Sequence, residues 1–169
     1  MKKVLIALAM VFGTSGFAED KMGFINVEKA VDGTTDGKKA NDELQKVFKA
    51  RQDELRKKED DLKTKRDDLM KKESVLADQV KLRKQMELEK DIAEFQKQGM
   101  QYQEEIRKKE FDMKKPILDA IQKIIEDIAK KDSYTMILNA KQGVVWAKNE
   151  IDITQRVVDE YEKSKKGKK

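Results

Sequence analysis

The sequence has no histidine, no cysteine and a single proline, and only 6% of its residues are aromatic. Without histidine there is no Ser-His-Asp triad, no Cys-His pair and no HExxH zinc site, and most general-base designs are gone. Without cysteine there is neither a thiol nucleophile nor a disulfide, so stability must come from elsewhere, and association of chains is the natural source. No glycine-rich loop of the phosphate-binding kind occurs. Paired carboxylates abound, but on stretches so charged that they read as solvated surface. An enzyme is not expected, and neither is a cofactor or a metal. So few aromatics cannot fill a large globular core.

Long hydrophobic runs are also missing, with one short exception. Val4 to Phe12 is unbroken and apolar, preceded by Lys2 and Lys3 and followed by the small residues of Gly16-Phe17-Ala18. That is the pattern of a secretory signal cleaved after Ala18. The run is far short of the roughly 20 residues a membrane span needs. No lipid-accepting cysteine follows it. The expected compartment is an exported one, the periplasm.

What is abundant is charge, at 42% of residues, with Leu, Lys, Glu and Asp in the proportions of long helices. The net charge of +5 is misleading. Lys2 and Lys3 leave with the signal. Five more lysines (Lys163, Lys165, Lys166, Lys168 and Lys169) lie in a polar tail expected to be disordered over 163–169. The body between is near neutral, which argues against a nucleic-acid partner.

Lys21 to Val27 predicts a strand, followed by a helical turn through Val31. Asp32 to Gly37 is rich in turn and cap residues. Asp32, Thr34, Asp36, Gly37 and Glu43 also fall on positions of a calcium-loop template, with threonine departing from it and no helix leading in. The competing reading is a strand-to-helix loop with caps. Lys38 to Lys115 holds no proline and one glycine. There Phe48, Leu55, Leu62, Leu69 and Leu76 recur every seven residues, a narrow stripe suited to one partner helix. Leu88, Ile92, Phe95, Gly99, Tyr102, Ile106, Lys109 and Met113 continue in alternating steps of four and three on the return, a seam with two weak positions. Two seams in one charged segment predict an antiparallel coiled-coil hairpin over 38–115 with its tip near 74–79, where Ser74 and Asp78 suit a turn. Lys71, Lys72, Lys81, Arg83 and Lys84 cluster there as a positive tip, either a solvated helix end or a contact for acidic clients or anionic lipid.

Pro116 is expected to open a new helix. Ile117, Ala120, Ile121, Ile124, Ile125 and Ile128 then give a wide apolar face made for burial. Tyr134 to Asn139 and Val144 to Lys148, around the turn Lys141-Gln142-Gly143, read as a β-hairpin. Asp152 with Gln155 resembles a capping box before a last helix from Ile153 to Tyr161. The fold class is α+β. Residues 19–37 and 116–162 form a small discontinuous β-sheet body, and the long helical hairpin is inserted between them. Three short strands and two helices make too little core for comfort, so other copies of the chain should cover the sheet.

The segments MGFINVEKAV, DGKKANDELQ, ELEKDIAEFQ, PILDAIQKIIEDIAKKDSYTMILNA and VVWAKNEIDITQRVVDEY, taken in order, resemble the Skp/OmpH family of periplasmic chaperones. The resemblance spans the whole chain after the signal. It implies a homotrimer with prefoldin-like arms enclosing a cavity, in which unfolded outer-membrane β-barrel proteins are held without nucleotide or metal. Phe24, Ile25, Ile137, Val144, Val145 and Trp146 are then expected in the body and its trimer interface. The family's arms are basic. Here 38–115 carry 23 basic and 19 acidic groups, so charge attraction of clients would be weaker. The alternative is a structural coiled-coil spacer or adaptor of the cell envelope.

Overall fold

The computed structural model describes residues 21–142 and 144–167. The expected signal segment 1–18, the two residues after it, Gly143 and the last two lysines lie outside the described residues. The described chain is mostly helical with a two-stranded sheet. β1 (Met22–Ile25) leads into α1 (Val27–Gly33), α2 (Thr35–Lys72) and α3 (Asp78–Lys131). β2 (Met136–Asn139), a short 3-10 turn at Asn149–Ile151 and α4 (Thr154–Lys166) follow.

Local side chains set the boundaries of α1 and the start of α2. Asn26 caps α1, its Oδ1 accepting the Lys29 amide at 2.9 Å. Thr34 both ends α1 and starts α2: its hydroxyl donates to the Val31 carbonyl at 2.7 Å and accepts the Gly37 amide at 2.9 Å. The segment that matched a calcium template is therefore two helices meeting at a fully buried threonine, not an open loop. Its carboxylates already have partners: Asp32 accepts from Asn41, Asp36 from Tyr161 and Lys165, and Glu43 pairs with Lys109.

α2 and α3 lie side by side, and their partners run in opposite senses. Glu43 pairs with Lys109, Arg51 with Glu105, Lys65 with Asp91, and Glu73 with Lys81 beside the Glu73–Ala77 turn. At 1.5 Å per residue α2 extends about 57 Å, so this pair dwarfs the body.

Pro116 does not open a helix. It lies inside α3, which continues unbroken from the arm into the body. Proline removes one amide donor and leaves the carbonyl of Asp112 without its helical partner. Burial just beyond it outweighs that loss: Ile117 and Ile121, one turn apart, are both in the core. α3 ends at a Schellman-type cap, with the Tyr134 amide donating to the Ala129 carbonyl at 2.9 Å. Ser133 takes the left-handed position there, at φ 56°.

The sheet also departs from the hairpin reading. β2 pairs with β1 in parallel, Met22 opposite Met136 and Ile25 opposite Asn139. A parallel pair needs a long crossover, and the inserted helices supply it. Val144 to Lys148 form no strand within the chain. The other edge of β1 is used by a bridge to Asp152, where the Ile153 amide donates to the Phe24 carbonyl at 3.0 Å.

α4 begins at Thr154, with Asp152 Oδ1 accepting its amide at 2.8 Å, while Gln155 turns to Asp159 instead of completing a capping box. The helix runs on to Lys166, so residues 163–166 are helical and not a disordered tail. Lys163 pairs with Glu160 and Lys165 with Asp36, which holds that turn. The core joins Ile25, Val31, Ile117, Ile121, Ile128, Ile153, Val157, Val158 and Tyr161. Each such aliphatic burial contributes about 1.5–3 kcal/mol.

Candidate functional surfaces

Three surfaces follow from this arrangement: the arm, its tip and the exposed side of the body.

Along the arm, Leu55, Leu62, Leu69, Leu88, Phe95, Tyr102 and Ile106 are half-buried between the helices. Phe48 and Ile92 are exposed, although the spacing assigned them to the seam. Midway along the arm the apolar seam gives way to a polar knot. Arg51 holds Glu105 through two nitrogens, at 2.8 and 3.2 Å, and Glu54 at 3.1 Å. Its guanidinium also stacks 4.6 Å from the Tyr102 ring. The Tyr102 hydroxyl donates to Glu54 at 2.5 Å and accepts from Gln98. The Tyr102 hydrogen bond holds Glu54 below its ordinary pKa, and the same bond raises the phenol. Arg51 is raised above its ordinary value, first by its bond to Glu105. In the sequence Arg51 is one of many charged residues of the arm. Its partners across the arm, more than 40 residues away, become visible only when the helices are paired.

At the tip, the five basic side chains are not equivalent. Lys81 pairs with Glu73, and Lys72 approaches Asp68 at 3.8 Å. Lys71, Arg83 and Lys84 make no ion pair among the described residues and are exposed. Met70, Val75, Leu82 and Met86 are exposed around them.

The body leaves several large apolar side chains uncovered. Val145 is 100% exposed and Trp146 77%, and Met22, Met136 and Leu138 from the sheet are exposed too. Of the residues expected at an interface between copies, Phe24, Ile137 and Val144 are half-buried. Ile25 is instead consumed by the chain's own core. Elsewhere in the body is a junction that the sequence did not announce. Tyr161, 1% exposed, donates its hydroxyl to Asp36 at 2.9 Å, and Lys165 reaches the same oxygen at 2.8 Å. Lys165 and then Tyr161 hold the Asp36 carboxyl below its ordinary pKa, and burial followed by Asp36 raises the tyrosine. The Thr35 amide donates to Glu162 at 2.6 Å. α4 is thereby tied to the root of α2. Among the described residues no group of acidic side chains is arranged to hold a metal ion, and no helix is long and apolar enough to cross a membrane.

A small sheet joined by a crossover of two long paired helices is a distinctive plan, and sequence comparison agrees with it. Residues 21–161 match the family described as outer membrane protein (OmpH-like). The chain belongs to that family. Among solved structures, an OmpH-like protein from Caulobacter crescentus, described as a candidate outer membrane chaperone, shares the fold with a TM-score of 0.70. It is 19% identical, with 92% of each chain covered. No curated protein matches the sequence. The family match thus spans the sheet, the arm and the first eight residues of α4.

Proposed function

We propose that this OmpH-like protein is an ATP-independent holdase of the periplasm. It holds unfolded outer-membrane β-barrel proteins between the arms of a homotrimer and keeps them from aggregating. The observation that carries the reading is the set of uncovered apolar side chains on the body, Trp146 and Val145 with Met22, Met136 and Leu138, beside a long charged arm with nothing packed around it. Met22 and Met136 stand opposite each other in the sheet with Leu138 two residues on, and an exposed apolar face of this kind marks an association surface. Copies joined there would leave the arms projecting. An arm with half-buried seams and an exposed, mixed-charge surface suits many weak contacts with an unfolded chain better than one tight contact with a folded one. Release without nucleotide then follows from fast exchange and from the client folding into its membrane. The unpaired Lys71, Arg83 and Lys84 with the exposed Met70 and Leu82 fit the tip to an anionic lipid surface or an acidic client.

The test is the solution mass of the protein purified as exported, alone and after a urea-denatured β-barrel protein is diluted into it. Three times the protomer mass, and a discrete soluble complex where the client alone aggregates, is the expected result. A trimer that leaves aggregation unchanged would favour the envelope-spacer reading. A monomer would remove the basis for both.

A further inference from the structure

The exposed apolar residues of the arm are not scattered. α2 carries only Phe48 and Met70, 22 residues apart. On the arm part of α3, Leu82, Met86, Met100 and Phe111 are 59% to 64% exposed. At about 100° per residue these four fall within roughly 40° of one another around the helix, while the less exposed Ile92, at 38%, lies about 80° from Leu82. The four form a stripe about 44 Å long on the side of α3 turned away from the seam. Isolated exposed apolar side chains need no explanation, but four aligned on one helix of a two-helix arm do.

We propose that this back stripe of α3 is the track that contacts the unfolded client, with α2 serving as its support. The inference rests on the holdase reading and says which helix does the holding. The spacing selects the occupant. A partner helix packs through apolar residues every three or four positions, whereas Met86, Met100 and Phe111 are separated by 14 and 11 residues. Such gaps leave no continuous surface for a folded protein to bury. They suit an extended chain whose apolar side chains touch the helix singly and exchange between anchor points. The flanks add charge selection. Lys90, Lys97, Arg107 and Lys108 border the stripe against Glu89 and Glu104, and none of the four cations makes an ion pair among the described residues. The track is therefore locally positive on an arm that is nearly balanced overall, and it fits an apolar chain of acidic character.

The test compares two variants with the unaltered protein, each purified as exported. In one, Leu82→Gln, Met86→Gln, Met100→Gln and Phe111→Gln remove the stripe. In the other, Phe48→Gln and Met70→Gln remove the apolar groups of α2. Affinity for a urea-denatured acidic β-barrel protein is measured together with solution mass and helix content. The stripe variant is expected to bind about tenfold or more weakly at unchanged mass, and the α2 variant within about twofold of the unaltered protein. Equal losses in both, or no loss in the stripe variant, would overturn the assignment. A change of mass in the stripe variant would also do so, because it would mean that another copy of the chain covers this face. If the unaltered protein itself fails to hold the client, the holdase reading falls and takes the track with it. A photo-crosslinking residue at position 100 or at position 60 on α2 makes the comparison independent of stability. Client adducts from 100 and few from 60 are expected, and equal yields would contradict the proposal.

Discussion

Replacing Tyr161 with phenylalanine isolates the bond that ties α4 to the arm root. The ring is 1% exposed, so phenylalanine keeps the packing and loses only the hydroxyl. That hydroxyl donates to the Asp36 carboxylate at 2.9 Å. A hydrogen bond to a charged group contributes about 1.5–3 kcal/mol. Asp36 retains Lys165 at 2.8 Å and some access to water, which places the loss at the lower end, about 1.5 kcal/mol. Tyr161→Ala, which also opens a cavity, should cost about 3–5 kcal/mol. Urea unfolding followed by circular dichroism, at one fixed protomer concentration, measures both. Acid supplies a second arm to the experiment. The folded pKa of Asp36 lies below its ordinary 3.8, so the stability it contributes is complete above that value and is lost as the pH falls through the lowered one. Once Asp36 is neutral, the hydroxyl bond is an ordinary one worth about 1 kcal/mol or less. The gap between the parent and the Tyr161→Phe protein should narrow accordingly. A Tyr161→Phe protein within about 0.5 kcal/mol of the parent at neutral pH, below the ordinary range for such a bond, would refute the reasoning. A gap that does not shrink in acid would refute the part assigned to Asp36.

Ser133→Gly should stabilise the protein by about 1 kcal/mol, because serine stands at φ 56° where only glycine is free of steric cost, and the same unfolding assay reads it. Gly37→Ala should destabilise by about 3 kcal/mol, since a β-carbon there would press into the Val31 carbonyl and sit 2.9 Å from the Thr34 hydroxyl. That variant is scored by its urea midpoint. Below about pH 4 overall stability should decline progressively, because Asp36, Asp132, Glu43, Glu54, Glu73 and Glu160 all titrate below their ordinary values when folded. The unfolded chain then binds more protons than the folded one, so stability rises with pH through that window and levels off above it. A thermal melt series across about pH 2–6 checks it, and a flat profile would contradict it.

Much of the architecture can be read from residue order because it depends on neighbours a few positions apart. A long segment without proline, with leucines at every seventh position, has no good alternative to a helix with one apolar stripe. Asn26 and Thr34 cap helices within three residues of themselves. The plan of a short opening strand, a long charged helical insert and a final helix follows from such local preferences.

Tertiary structure decided the rest, wherever a group had to choose among distant partners. β2 pairs with β1 across the whole arm because Ile25 and Ile137 both pack against the common core. Pro116 stays inside α3 because Ile117 and Ile121 are buried just beyond it: ending the helix there would cost more apolar contact than one hydrogen bond. Arg51 finds Glu105 and Tyr161 finds Asp36 only after two helices or both chain ends are brought together. Spacing along the chain records the period of a helix. It carries no record of which face meets which, since that is settled by the total surface buried when all the elements pack at once.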